Sequence, residues 1–224
     1  MTSAERHYTG TAGQQYHVGK RSVPPNAVPW IARLRAEKTQ PYVQPTDTVF
    51  EYGAGFGWNL VSLRCARRIA YDISEHAGSE DKTIEWTHDF ATIPIHSVNV
   101  VICHHALEHV LRPTEALDHM RRLLRPGGRL LLYVPFEKER RYRVFDPAEP
   151  NHHLYSWNVQ TLGNLVTECH FEVESADVGE FGYDRFAANL ATKMKLGESG
   201  FRFIRRIAHL LKPASEVRVV ARRT

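Results

Sequence analysis

The chain has 224 residues, of which 42% are hydrophobic and 24% charged, the balance of an ordinary globular protein with a sizeable core. Lysine and arginine number 29 against 25 acidic residues, a net charge of +4, so most charges interleave on a solvated surface and argue against a nucleic-acid partner. No run of about 18 apolar residues exists to span a membrane. Cys65, Cys103 and Cys169 are odd in number and far apart, and they form no CxxC pair. They suit a reducing, cytoplasmic setting rather than a disulfide framework. The opening Met1-Thr2-Ser3-Ala4-Glu5-Arg6-His7 has no apolar core of a signal peptide.

Residues 1–46 read as a polar N-terminal arm with scattered aromatics, broken by Pro24-Pro25 and Pro29, with a short helix over Trp30 to Glu37. Two readings stand side by side. The arm packs on the sheet, or it is a lid that brings Tyr16 and His17 to a ligand. From residue 47 onward, strand and helix patterns alternate. Thr48 to Tyr52 is a strand, and Asn59 to Leu63 starts a helix. Arg68 to Asp72 and Thr83 to Thr87 are strands, each leading into an acid, Asp72 or Asp89. Val98 to Cys103 is an apolar strand with both faces covered. Thr114 to Leu124 carries apolar residues at helical spacing behind Pro113, and Arg129 to Val134 is a fifth strand. Ser156 caps a helix through Val159, Leu162, Leu165 and Val166. Phe171 to Ala176 and Val217 to Ala221 are the last strands, with a mostly helical insertion over residues 180–212. This order predicts one α/β domain over 47–224, a mostly parallel sheet with helices on both faces.

The most informative stretch is Glu51-Tyr52-Gly53-Ala54-Gly55-Phe56-Gly57-Trp58. Glycines after a strand let a ligand approach the backbone. Trp58 stands where a dinucleotide fingerprint needs glycine, and no GK[ST] follows. The loop therefore suits an adenosine ligand without a pyrophosphate. Asp72 is placed to accept from both ribose hydroxyls, and Asp89 from an exocyclic amine. Leu107-Glu108-His109-Val110 and Leu124-Arg125-Pro126-Gly127-Gly128 complete the pattern.

With these motifs in this order, the chain resembles the class I S-adenosylmethionine-dependent methyltransferases, in particular their small-molecule branch, over roughly residues 47–178. The resemblance implies a Rossmann-like seven-stranded sheet whose last strand is antiparallel. It implies S-adenosylmethionine as cofactor, held by Glu51, Gly53, Ala54, Gly55, Gly57, Asp72, Ile73, Asp89, Phe90, Cys103 and His104. Three positions depart from the family pattern. Asn99 stands for an acid, His170 for a glycine, and the segment between Asp72 and Thr83 is too short and polar for the usual second helix.

The implied reaction is methyl transfer to an oxygen or nitrogen of a small molecule. His104, His105, His152 and His153 are the candidate bases, and Tyr16, Phe136, Tyr155 and Trp157 the candidate acceptor walls. A non-catalytic cofactor-binding or scaffold protein is the alternative, and an RNA methyltransferase a third reading, prompted by a pI near 9.0. His105-Ala106-Leu107-Glu108-His109 also spells a zinc-protease signature, but it falls at a strand end with no distant third ligand, so no metal is expected. Phe203, Ile207 and Leu210 or Leu211 share one face of a basic helix over 201–212. That face either meets a membrane or lipid-like acceptor, or covers the sheet or active site.

Overall fold

The computed structural model describes residues 3–20, 22–75, 77–78, 81–137, 144–146, 149 and 151–224, without the side chains of 3–5 and 16–20. Its centre is a seven-stranded sheet of β1 (Thr48–Tyr52), β2 (Arg67–Tyr71), β3 (Ile84–Thr87), β4 (Val98–His104), β5 (Leu124–Pro135), β6 (Phe171–Glu180) and β7 (Ser215–Arg223). The spatial order is β3-β2-β1-β4-β5-β7-β6. The first five strands run parallel, and β7 lies antiparallel between β5 and β6. The Rossmann-like fold predicted from the sequence is the fold observed.

One face of the sheet is covered by helices that follow their strands directly. These are α4 (Pro113–Leu123) and α5 (Val159–Glu168). Leu117 and Met120 of α4 and Leu162 and Val166 of α5 are fully buried against Phe50, Val101 and Leu132. The start of α5 differs from the Ser156 cap expected. Asn158 is the cap, because Thr161 stands at the third helical position. Thr161 N donates to Asn158 Oδ1 at 2.9 Å, and Asn158 N donates to Thr161 Oγ1 at 3.1 Å.

The other face is built differently. No helix forms at Asn59 to Leu63, contrary to the sequence pattern. The chain makes tight turns instead, with Leu60 N donating to Gly57 O at 2.9 Å and Leu63 N to Leu60 O at 3.0 Å. A parallel crossover needs about a dozen residues or more. Here the glycine loop uses the first part of 53–66, and the remainder must carry the chain back along the sheet. Leu60 and Leu63 still bury their side chains, filling the place of the missing helix. The segment between β2 and β3 likewise shows no helix among its described residues.

The missing cover comes from the two sequence regions that the motifs left open. The N-terminal arm forms α1 (Ser3–Tyr8), α2 (Gly10–Lys20) and α3 (Val28–Thr39). The insertion forms α6 (Asp184–Lys193) and α7 (Gly197–Leu211). Ala36 of α3 packs with Leu60, Leu63 and Val49. Ile31 packs with Ala187, Ala188 and Ala191 of α6 and with Phe201 of α7. The small alanines bring α6 close to the arm, and ion pairs of Arg202 with Glu37 at 2.6 Å and Arg205 with Asp184 at 2.9 Å fasten α7. Phe203, Ile207, Leu210 and Leu211 are exposed, so that face of α7 does not cover the sheet.

His170 takes φ +61° at the turn between α5 and β6, the left-handed conformation that a glycine there adopts without strain. Asn99 Oδ1 accepts from Thr48 N at 3.0 Å and ties the start of β1 to β4.

Candidate active site

The strand order reverses between β1 and β4, which opens a crevice outside the carboxyl ends of the strands. A cavity of about 540 Å³ lies there. Its floor is the glycine loop. Gly55, at φ +56°, has nothing within 4 Å of where a Cβ would stand, so its backbone is open to a ligand. Gly53 and Gly57 serve packing. A Cβ on Gly53 would meet Ala106 Cβ at 2.5 Å, and one on Gly57 would meet the Trp86 ring at 3.1 Å. Gly57 does not stand among the residues lining the cavity. Trp58 turns away into the cluster with Ile31 and Phe201.

Asp72 lines the cavity and shapes the loop as well. Its Oδ2 accepts from Gly55 N at 2.8 Å and its Oδ1 from Ser74 N at 2.9 Å. A carboxylate has about four acceptor sites, so lone pairs remain for further hydroxyls. Ile73 and Phe90 also line the cavity, and Phe90 sets its ring edge-on to Tyr71 at 5.4 Å, an aromatic wall suited to a flat base. Asp89 does not reach the cavity. It is exposed, and its Oδ1 accepts from Ala91 N at 2.9 Å to cap the short turn that presents Phe90. Ala54, in the loop after β1, and Cys103, on the face of β4 that α4 and α5 cover, are both buried in the core. Burial also pushes the Cys103 thiol well above its ordinary range, which makes it inert.

Glu51 lies wholly buried at the end of β1. Asn59 Nδ2 donates to its Oε1, while Oε2 has no partner among the described residues. Burial raises its carboxyl to about 8, partly offset by the Asn59 hydrogen bond.

The opposite wall carries the histidines, and the structure separates them. His105 lines the cavity, with φ +52° turning it off the end of β4. Its Nε2 lies 3.2 Å from Glu216 Oε2. Its Nδ1 lies 3.9 Å from Glu108 Oε1, beyond hydrogen-bond reach. His104 points the other way and is buried, with Nε2 accepting from Lys38 Nζ at 2.9 Å. Lys38 also donates to Glu216 Oε1 at 2.8 Å. Glu216, Lys38, His104 and His105 thus form one buried network. Burial lowers both histidines, His104 strongly, so each favours its neutral form. Burial alone would raise Glu216, but the adjoining His104 and His105 rings and the Lys38 charge hold it well below the usual carboxylate range.

Neither Glu216 nor Lys38 belongs to any of the sequence motifs. Glu216 reaches the site because β7 is antiparallel, so its first residues lie beside Pro135, at the carboxyl end of β5. A carboxylate near the start of the last strand, with that strand known to be reversed, is the signal that would have found it.

His152 and His153 stand at the rim. His152 stacks on His7 at 5.0 Å, and His153 Nδ1 lies 2.8 Å from Glu137 Oε1. His109, missed as a site residue, lines the cavity together with Tyr8 of the arm. Tyr8 Oη lies 2.7 Å from His109 Nδ1 and donates to Asn151 O at 2.7 Å. Glu108, His109 and His153 bring one potential ligand atom each within 4.8 Å of one another. The zinc pairing of His105 with His109 on one helix does not form, because Leu107–His109 is only a single tight turn and the two rings bond to different partners. The Glu108 backbone carbonyl accepts from Leu154 N at 2.8 Å, so this turn also anchors the 151–157 segment. Phe136, Tyr155 and Trp157 do not line the cavity. Tyr155 stacks on Trp157, which packs against the core. The side chains of Tyr16 and His17 lie outside the described residues.

A family model described as a methyltransferase domain matches residues 23–176. No curated protein sequence matches the chain. Among solved structures it is similar to a Haemonchus contortus phosphoethanolamine N-methyltransferase in complex with S-adenosyl-L-methionine, at 12% identity and TM-score 0.64, covering 100% of this chain and 60% of that one. It is similar to a candidate methyltransferase from Bacillus halodurans at 17% identity and TM-score 0.57, covering 85% and 99%. It is also similar to a geranyl diphosphate methyltransferase in complex with GPP and sinefungin at 15% identity and TM-score 0.57, covering 86% and 78%. A methyltransferase strand order, a glycine loop backed by Asp72 and a match across most of the chain agree. The chain belongs to the methyltransferase-domain family and is an S-adenosylmethionine-dependent methyltransferase.

Proposed function

We propose that the chain methylates an oxygen or nitrogen of a small molecule, with His105 as the base. The observation that carries this reading is the pairing of His105 Nε2 with Glu216 at 3.2 Å in a ring that lines the cavity. An ionised Glu216 accepts from Nε2–H. That fixes the tautomer and leaves the Nδ1 lone pair as the proton acceptor. Burial keeps the ring neutral before the reaction, and Glu216 stabilises the imidazolium that forms when the acceptor's proton arrives. His104 and Lys38 then act as positioning residues that hold Glu216. His152 and His153 shape the rim and are not the base.

The residues present fit the cofactor. Gly55 is open, Asp72 retains acceptor capacity for a ribose diol, Ile73 and Phe90 flank an aromatic slot, and Glu51 offers a buried oxygen without a partner among the described residues. Bound S-adenosylmethionine supplies a methyl group that its sulfonium already activates. The protein has to align the acceptor and exclude water. The start of the N-terminal arm serves as a lid over the 47–224 domain, a role that the Tyr8 contacts with His109 and Asn151 support.

A small acceptor suits a cavity of about 540 Å³, which cofactor and acceptor would share. The arginine on its wall, Arg112, is already paired with Glu115 at 2.9 Å, which argues against a polyanionic acceptor such as RNA. Incubation with methyl-labelled S-adenosylmethionine and fractionated cell extract tests the reading. Label in the low-mass fraction, abolished in His105→Ala, is expected. Label in RNA or protein, or cofactor binding with no transfer to any fraction, would overturn it.

A further inference from the structure

Helix α7 is turned the wrong way for a helix that covers a sheet. Its inward side carries Phe201 and His209, both buried, together with the ion-paired Arg202 and Arg205. Its outward side carries Phe203, Ile207, Leu210 and Leu211 at 65%, 40%, 71% and 82% exposure. An apolar stripe of this kind is normally the buried side of a surface helix. Here the polar side is spent on fastening the helix, and the apolar side is presented outward.

The charges around the stripe are of one sign. The two acids of the helix pair are used internally, Asp184 by Arg205 at 2.9 Å and Glu198 by Arg202 at 2.9 Å. Arg206 flanks the stripe, and Lys193, Lys195 and Lys212 stand in the segments at its two ends. All four are exposed, and none makes an ion pair among the described residues. A second copy docked on this face would gather like charges from both molecules with no acid to neutralise them. An anionic surface is the complement of an apolar stripe ringed by lysine and arginine.

We propose that α7 is an interfacial helix that docks the enzyme on an anionic lipid bilayer, with the stripe seated among the acyl chains and the four cations at the headgroups. No helix among the described residues is long and apolar enough to cross a membrane, so docking would be peripheral and reversible. The insertion leaves β6 through Phe181, whose ring lies 3.9 Å from that of His105. A docked helix would therefore hold one wall of the active site close to the bilayer.

Flotation of the full-length protein with phosphatidylcholine vesicles, with and without phosphatidylglycerol, tests this. Binding is expected to the anionic vesicles only, and to fall with added salt. It should drop at least about tenfold in the double variant Phe203→Ser with Leu210→Ser, and similarly in Arg206→Ser with Lys212→Ser. These side chains are exposed, so S-adenosylhomocysteine affinity and helix content should not change. No binding to either vesicle, equal binding to neutral vesicles, or binding indifferent to the substitutions would overturn the proposal. So would a wild-type dimer that the Phe203 and Leu210 double variant dissociates. If a double variant fails to fold, the lipid and salt dependence of the wild type decides alone.

Discussion

The two ends of the cavity are built by different means. The glycine-loop end is local. Gly53, Gly55, Asp72 and Phe90 sit at the ends of neighbouring parallel strands, and a backbone hydrogen bond from Gly55 to Asp72 braces the loop. The histidine end is assembled from afar. His105 from β4 meets Glu216 from β7, which Lys38 from α3 holds, and Tyr8 from α1 meets His109 at the cavity mouth. A local motif can bind the same donor in many proteins. The distant assembly is where an individual chain makes its own chemistry, and it should break in a different way.

The largest effect is expected at Glu216. In Glu216→Gln the buried network loses its only carboxylate, and methyl transfer should fall about a hundredfold or more while cofactor affinity stays close to wild type. The same substitution leaves Lys38 without its counter-charge and should cost about 3 kcal/mol in urea unfolding. Its pH dependence has a definite sign. Glu216 is depressed, so its contribution is complete above the unfolded carboxylate range and fades as pH falls. His104 and His105 are lowered too, so the fold favours their neutral forms and loses stability as pH drops below about 6.5. Wild type should therefore lose melting temperature on acidification, and the Gln variant should lose less.

Asp72→Ala reports on the other end. S-adenosylhomocysteine should bind more than about tenfold weaker by calorimetry, because the loop loses its brace along with the ribose acceptor. An unchanged affinity would detach Asp72 from the cofactor.

Glu51→Gln is a smaller test with an inverted pH signature. The carboxyl is raised to about 8, so the fold favours its neutral form. That contribution is complete below the unfolded pKa and is lost as pH rises toward 8. The variant should melt higher than wild type in alkaline buffer, with the gap closing in acid. Tyr8→Phe removes two hydrogen bonds at the rim and should cost about 1 kcal/mol, seen as a several-fold rise in the acceptor KM with little change in kcat.

The same contrast explains what could be read from the sequence. The strands, the glycine loop, Asp72 and the switch-point crevice all follow from short-range patterns. Alternation gives the parallel sheet, and an acid closing the second strand falls beside the loop closing the first. Glu216 and His105 stand 111 positions apart, and nothing near either residue announces the other. The helix expected at Asn59 fails for a related reason. Its apolar spacing is genuine, but the distance back to β2 leaves room only for turns, and α3 arrives from another part of the chain to supply the cover. Glycine spacing does not distinguish an open backbone, as at Gly55, from one whose Cβ position faces the Ile84 and Trp86 side chains, as at Gly57. His104 and His105 differ by one position, which sends one side chain into the core network and the other into the cavity.

A crystal structure with S-adenosylhomocysteine tests the division of the cavity most directly. The ribose hydroxyls should meet Asp72, and the sulfur should point toward His105 Nδ1 with His105 Nε2 still on Glu216. A sulfur that faces away from His105, or a ligand seated off the glycine loop, would contradict it.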